Sequence, residues 1–183
     1  VSDDLEDFDA LDDREDSDDL GGRTGAMTAE QIANLGQVLC DVLDGFGFMF
    51  AEIPEPGAPL PTPSAALVAR VGFTGPQNGL VRVAVPGAFG PLLAANVLGL
   101  EDTDSPEAAR FGRDTLGEMA NVMAGRVTTA LFGAQAVFDF AMPEVRDLSN
   151  AEWREFAGHA DALIFQVEGH PLLLQVQTGG QTP

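Results

Sequence analysis

The chain has 183 residues, 45% of them apolar, and a formal net charge of −20. That length accommodates one domain with a sizeable core, and the apolar fraction excludes a wholly disordered chain. So acidic a surface repels phosphate backbones and anionic lipid, which disfavours binding to nucleic acid or to a membrane surface by charge. Partners are therefore expected to carry basic groups or a metal. All nine basic residues are Arg, with no Lys, a bias that reads as genomic base composition rather than chemistry. Cys40 is the only cysteine, so neither an intrachain disulfide nor a multi-thiolate metal site is available. No stretch approaches the ~18 apolar residues of a membrane span and no basic, apolar signal segment opens the chain, so the expected compartment is the cytoplasm.

Residues 1–26 carry eleven carboxylates against Arg14 and Arg23 and end in a Gly-rich joint. Such a block repels itself and buries too little apolar area to offset its ordering entropy, which predicts a disordered acidic leader. Leu5, Phe8, Leu11 and Leu20 leave a docking tail as the alternative. The ordered domain is expected over 27–178, with 179–183 as a flexible tail. From Thr28, a helix cap with Gln31 at the capping-box position, Ile32, Leu35, Val38, Leu39, Val42 and Leu43 recur at helical spacing and predict an amphipathic helix ending near Asp44 and Gly45. IPEPGAPLPTPS has too many prolines for helix or central strand and reads as an extended connector.

ALVARVGF (66–73) and LVRVAV (80–85) read as strands around the turn GPQNG, where Asn78 and Gly79 tolerate positive φ. FGPLLAANVLGL suggests a short helix. A long one follows, with Ser105 as its cap and Pro106 in its first turn. AVFDFAM (136–142) alternates as a strand before Pro143, Trp153 and Phe156 fit a helix packed on a sheet, and 162–177 reads as a hairpin turning at Gly169, His170 and Pro171. Two halves, each with a helix and a strand pair, predict an α+β pseudo-repeat with helices packed on a largely antiparallel sheet.

Within the long helix, DTLGEMANVMAGR (114–126) holds Asn121 and Gly125, both of which weaken a helix interior. At 100° per residue Asp114, Glu118, Asn121 and Gly125 share an arc of roughly 60°, while Leu116, Met119, Ala120, Met123, Val127, Ala130 and Leu131 gather opposite as a core face. A polar stripe on an outer helix face needs no function. Asn121 argues for one, because a face tuned for stability alone avoids it, whereas Gly125 has close packing as a competing explanation. A carboxylate and a carboxamide one turn apart can read another protein's cation and hold a water in line for attack; neither is a good nucleophile. The Glu-x-x-His element of di-iron sites is missing, and His159 and His170 lack a third ligand, so no metal or other cofactor is expected on this chain.

Asp114-x3-Glu118-x2-Asn121, with Pro143 22 positions beyond Asn121, resembles the Asp/Ser-x3-Glu-x2-Asn-(about 22 residues)-Pro signature of the CheC/CheX/FliY phosphatases; the spacer here is one residue short of that pattern. The order of helices and hairpins from about residue 28 to 178 is also similar. CheC-type members have two such motifs, but Glu30 and Asn34 on the first helix are separated by three residues instead of two, so the single-site CheX branch is the closer likeness. The resemblance implies a CheX-like fold, a homodimer joined at sheet edges, and hydrolysis of the aspartyl phosphate on a phosphorylated response-regulator receiver domain. It further implies that the partner brings Mg²⁺ and a Lys, that Glu118 pairs with this Lys, and that the Asn121 amide positions the attacking water. Asp114 and Gly125 would touch the partner, and Pro143 would shape a strand end. A receiver-binding module without hydrolysis, or a purely structural dimer with a solvated stripe, would be built from the same residues.

Overall fold

Thr28 opens the first helix through a reciprocal capping box. In the computed structural model, which describes residues 27–55 and 58–179, its hydroxyl accepts from the Gln31 N–H while Gln31 Oε1 accepts from the Thr28 N–H. The leader expected over 1–26 and the last residues of the tail lie outside the described residues. α1 (Ala29–Val42) buries Leu35, Leu39 and Val42 and runs into a π-helical turn, Leu43–Gly47. That turn brings Gly47 so close to the following layer that an added Cβ would stand 2.8 Å from Leu93 Cδ1. The connector after it holds one short strand, β1 (Ala51–Glu52), before the prolines take over.

β2 (Ala66–Thr74) and β3 (Gly79–Pro86) form the first hairpin at the predicted place, but its turn works differently. Neither Asn78 nor Gly79 has positive φ. Asn78 Oδ1 accepts from the Gly75 N–H at 3.4 Å, and Gly79 is required for space, since a Cβ there would lie 2.2 Å from the Gln177 carbonyl oxygen and 2.3 Å from Phe73 Cζ. α2 (Phe89–Leu98) and α3 (Pro106–Phe132) follow, the latter capped by Ser105, whose hydroxyl accepts from the Ala108 N–H. At 27 residues α3 is about 40 Å long. The two helices cross where Gly112 meets Gly90 and Pro91: a Cβ on Gly112 would stand 2.8 Å from the Gly90 carbonyl carbon and the Pro91 nitrogen.

The strand expected at 136–142 is reduced to β4 (Asp139–Phe140), and the longer strand, β5 (Glu144–Leu148), begins after Pro143 instead. Pro143 has no N–H to donate and divides the two. α4 (Asn150–Gly158) carries a second capping box, between Ser149 and Glu152. The last hairpin, β6 (Ala162–Val167) and β7 (His170–Thr178), turns on Glu168 and Gly169, both at positive φ (49° and 78°), so His170 and Pro171 belong to the strand and not to the turn.

All seven strands join one antiparallel sheet in the order β1-β6-β7-β3-β2-β4, with β5 also on β2. The two hairpins meet at β3 and β7 in the centre. Each half lends its leading strand to the other: β1 flanks β6, and β4 and β5 flank β2. This is the α+β two-half arrangement read from the sequence. α1, α2 and α3 cover one face over Leu67, Val71, Val83, Leu172 and Leu174. α4 covers part of the other, where Trp153 and Phe156 bury against Ala66, Val68, Ala84 and Leu173.

Candidate functional site

Leu116, Met119, Ala120, Met123 and Val127 are fully buried in the main core, with Leu131 partly buried against it, so the predicted core face of α3 is the face that packs. Full burial of each larger side chain contributes about 2 kcal/mol and fixes the helix's rotation. That rotation turns Asp114, Glu118 and Asn121 outward; all three are exposed. No hydrogen bond or ion pair among the described residues engages their side chains, whose nearest paired neighbours on the helix are Arg113 and Thr115. Gly125, half-buried, continues the line. A Cβ there would meet nothing within 4 Å among the described residues, which overturns close packing against them as the reason for this glycine. Its carbonyl oxygen accepts from the Thr128 and Thr129 hydroxyls at 3.0 and 2.9 Å.

Pro143 buttresses this ridge on one side. A Cβ on Gly117, the residue before Glu118, would sit 3.5 Å from Pro143 Cβ and 3.5 Å from Val145 Cγ2, so the start of β5 lies flat against α3. An ion pair from Arg113 to Asp147 ties the same strand to the helix. On the other side α1 runs antiparallel to α3, and the two enclose a groove of about 460 Å³ bordered by Val38, Val42, Phe46, Val122 and Arg126. Neither this groove nor Arg126 was singled out from the sequence. The available signal was Val122, an apolar residue off the core face and 38% exposed.

α1 presents no equivalent ridge. Glu30 and Asn34 are exposed, but the Asn34 amide donates to the Ala130 carbonyl oxygen at 3.4 Å and so is committed to joining the two helices. Cys40 is half-buried, and burial first, then the Asp41 charge, pushes its thiol pKa up, away from the thiolate form. Among the described residues no group of three or more His, Cys, Asp and Glu side chains could hold a metal ion, and no helix is long and apolar enough to cross a membrane. Chemically, the ridge offers two carboxylates, Asp114 and Glu118, and one amide that both donates and accepts, on a helix held by its buried face.

An α+β protein with a free acid–amide pair on a convex helix is thus the class that fold and site define. The family described as chemotaxis phosphatase CheX matches residues 67–165, which include the whole of α3 and Pro143. The chain belongs to the CheX family. Solved structures share the fold. The CheX of Desulfovibrio desulfuricans is 18% identical, covering 82% of this chain and 99% of its own, with a TM-score of 0.59. CheX of Borrelia burgdorferi, solved in complex with CheY, BeF3 and Mg²⁺, is 18% identical over 82% of this chain and 98% of its own, with a TM-score of 0.58. FliY of Thermotoga maritima is 15% identical over 81% and 91%, with a TM-score of 0.52. No curated protein sequence matches the chain.

Proposed function

We propose that the chain accelerates hydrolysis of the aspartyl phosphate on a CheY-like response-regulator receiver domain by inserting the α3 ridge into the phosphorylated pocket. Glu118 accepts from the partner's Lys and sets the register. The Asn121 carboxamide holds a water in line behind phosphorus; its oxygen bonds to phosphorus as the bond to the aspartyl oxygen breaks, releasing inorganic phosphate and the free carboxylate. The partner supplies Mg²⁺, which neutralises charge on the phosphoryl oxygens. Asp114, one turn before Glu118, and Gly125, one turn beyond Asn121, are contacts at the rim, and Pro143 supports the ridge from one side. Residues 27–178 form the working domain in this reading, with 1–26 and 179–183 as appendages, and the protein acts in the cytoplasm as a homodimer joined at sheet edges. Phe50 and Ile53 beside β1, 74% and 77% exposed, supply apolar surface at one such edge.

The observation that carries this reading is that Glu118 and Asn121 are exposed together, one turn apart, with no internal partner among the described residues. The test is a phosphate-release assay on receivers encoded in the same genome, phosphorylated with acetyl phosphate. Glu118→Ala with Asn121→Ala should abolish the acceleration while leaving circular dichroism and melting temperature intact. Acceleration that survives the double substitution rules the mechanism out; a stable complex with no change in phosphate lifetime selects the non-hydrolysing module instead.

A further inference from the structure

Arg126 stands apart from every other arginine in the described chain. Arg70 pairs with Glu144, Arg113 with Asp147 and Arg146 with Glu152. Arg82 donates to Gln175, Arg154 donates to the Asn150 carbonyl oxygen, and Arg110 stacks on Phe111. Arg126 is exposed and has no hydrogen-bond, ion-pair or stacking partner among the described residues. It borders the groove between α1 and α3, whose walls are Val38, Val42, Phe46 and Val122. Asp41, the acid that shares the groove, is held by Gln37, whose Nε2 donates to Asp41 Oδ1 at 2.8 Å.

The groove and the proposed catalytic ridge are two sides of one helix. Val122 follows Asn121 directly, and Arg126 lies five residues on, about 7.5 Å along the axis. A standard interface buries about 800 Å² on each partner, a patch wider than these separations. A surface that seats Asn121 and extends over the α1 side of the helix covers Val122 and the groove mouth as well. On a chain of net charge −20, a free cation beside the ridge also offsets the repulsion that an anionic, phosphorylated partner meets.

We infer that the α1–α3 groove is the specificity element for the receiver. The partner that presents its aspartyl phosphate to Glu118 and Asn121 inserts an apolar side chain between Val38, Val42 and Val122 and sets a carboxylate against Arg126. This rests on the phosphatase reading above and assigns Arg126 and Val122 as positioning residues, which act on the partner's seating and not on phosphorus.

The experiment takes the full chain and the genome's receiver that the wild type dephosphorylates fastest, phosphorylated with acetyl phosphate. Arg126→Glu and Val122→Asp, both surface changes, should each raise KM about tenfold or more with kcat changed no more than about twofold, and Arg126→Lys should recover most of the Arg126→Glu loss. Glu118→Ala with Asn121→Ala lowers kcat instead, so the two readings separate. Should the wild type dephosphorylate no receiver yet bind one loaded with Mg²⁺ and BeF3, the phosphatase reading falls and the same variants are compared by Kd, with the same tenfold criterion. Wild-type KM or Kd in both variants overturns the inference. So does tighter binding by Arg126→Glu, the result expected if the acidic segment of residues 1–26 held Arg126, and so does a wild type that neither binds nor dephosphorylates any receiver.

Discussion

Gly112 and Gly125 belong to the same helix, yet only the first is held there by its neighbours. At Gly112 the backbones of α3 and α2 touch, and any side chain would collide with Gly90 and Pro91. At Gly125 there is open space, and the helix bears the propensity cost with no packing gain in return. The N-terminal part of α3 is therefore shaped by the fold, while its middle turns carry residues the fold does not ask for. A glycine alone cannot be read either way; what an added Cβ would meet decides it.

That contrast can be broken at several points. The largest effect is expected at Gly112: Gly112→Val should destabilise the protein by about 3 kcal/mol in urea titration, because rigid backbone stands on the far side of the contact. Gly125→Ala should do the reverse and stabilise by up to about 1 kcal/mol in the same titration. If Gly125→Ala destabilises, the open-surface reading of that position is wrong. Asn121→Ala should stabilise by roughly 0.5 kcal/mol while removing receiver dephosphorylation, a gain in stability coupled to loss of function that no residue of the core face can show.

The smallest effect concerns the opposite side of the sheet. Glu152 caps α4 and pairs with Arg146 at 2.8 Å; the hydrogen bond from Arg146, then those from the Ser149 backbone and hydroxyl, lower its pKa from 4.5 to about 2. A folded-state pKa below the unfolded value gives a contribution that is complete above about pH 4.5 and lost as the pH falls towards 2. Glu152→Gln should therefore melt below the wild type at pH 7, and the two melting curves should converge through that window.

The sequence made the long-period elements legible. α1 carried its own capping box and apolar stripe, α3 its Ser-Pro start, and β2 and β3 their β-branched alternation, because in each the burial pattern repeats along the chain. β5 escaped because it is an edge strand with exposed Glu144, Arg146 and Asp147, so its outward positions erase the apolar signal that its partner β2 retains. The last turn was misplaced by one or two residues because His170 and Pro171 look like turn formers, whereas the positive-φ pair is Glu168 and Gly169, and a non-glycine residue at positive φ leaves no compositional mark. The candidate ridge was readable, since its residues share one helix and one angular sector. The groove was not, because it exists only once α1 is laid beside α3, a contact between residues distant in the chain, as between Asn34 and Ala130, 96 positions apart.

The reciprocal loan of β1 and β5 between the halves has a consequence for biosynthesis. When the first hairpin leaves the ribosome, neither of its outer edges has a neighbour: β5 and β7, which will cover them, are still to be translated. Until β5 emerges the nascent chain displays two open templates for strand addition, and from then until β7 follows the edge of β3 is still open. A fragment ending before β5 would find its missing strands only in another molecule, so truncation here is expected to produce intermolecular exchange and precipitation, not a smaller working unit.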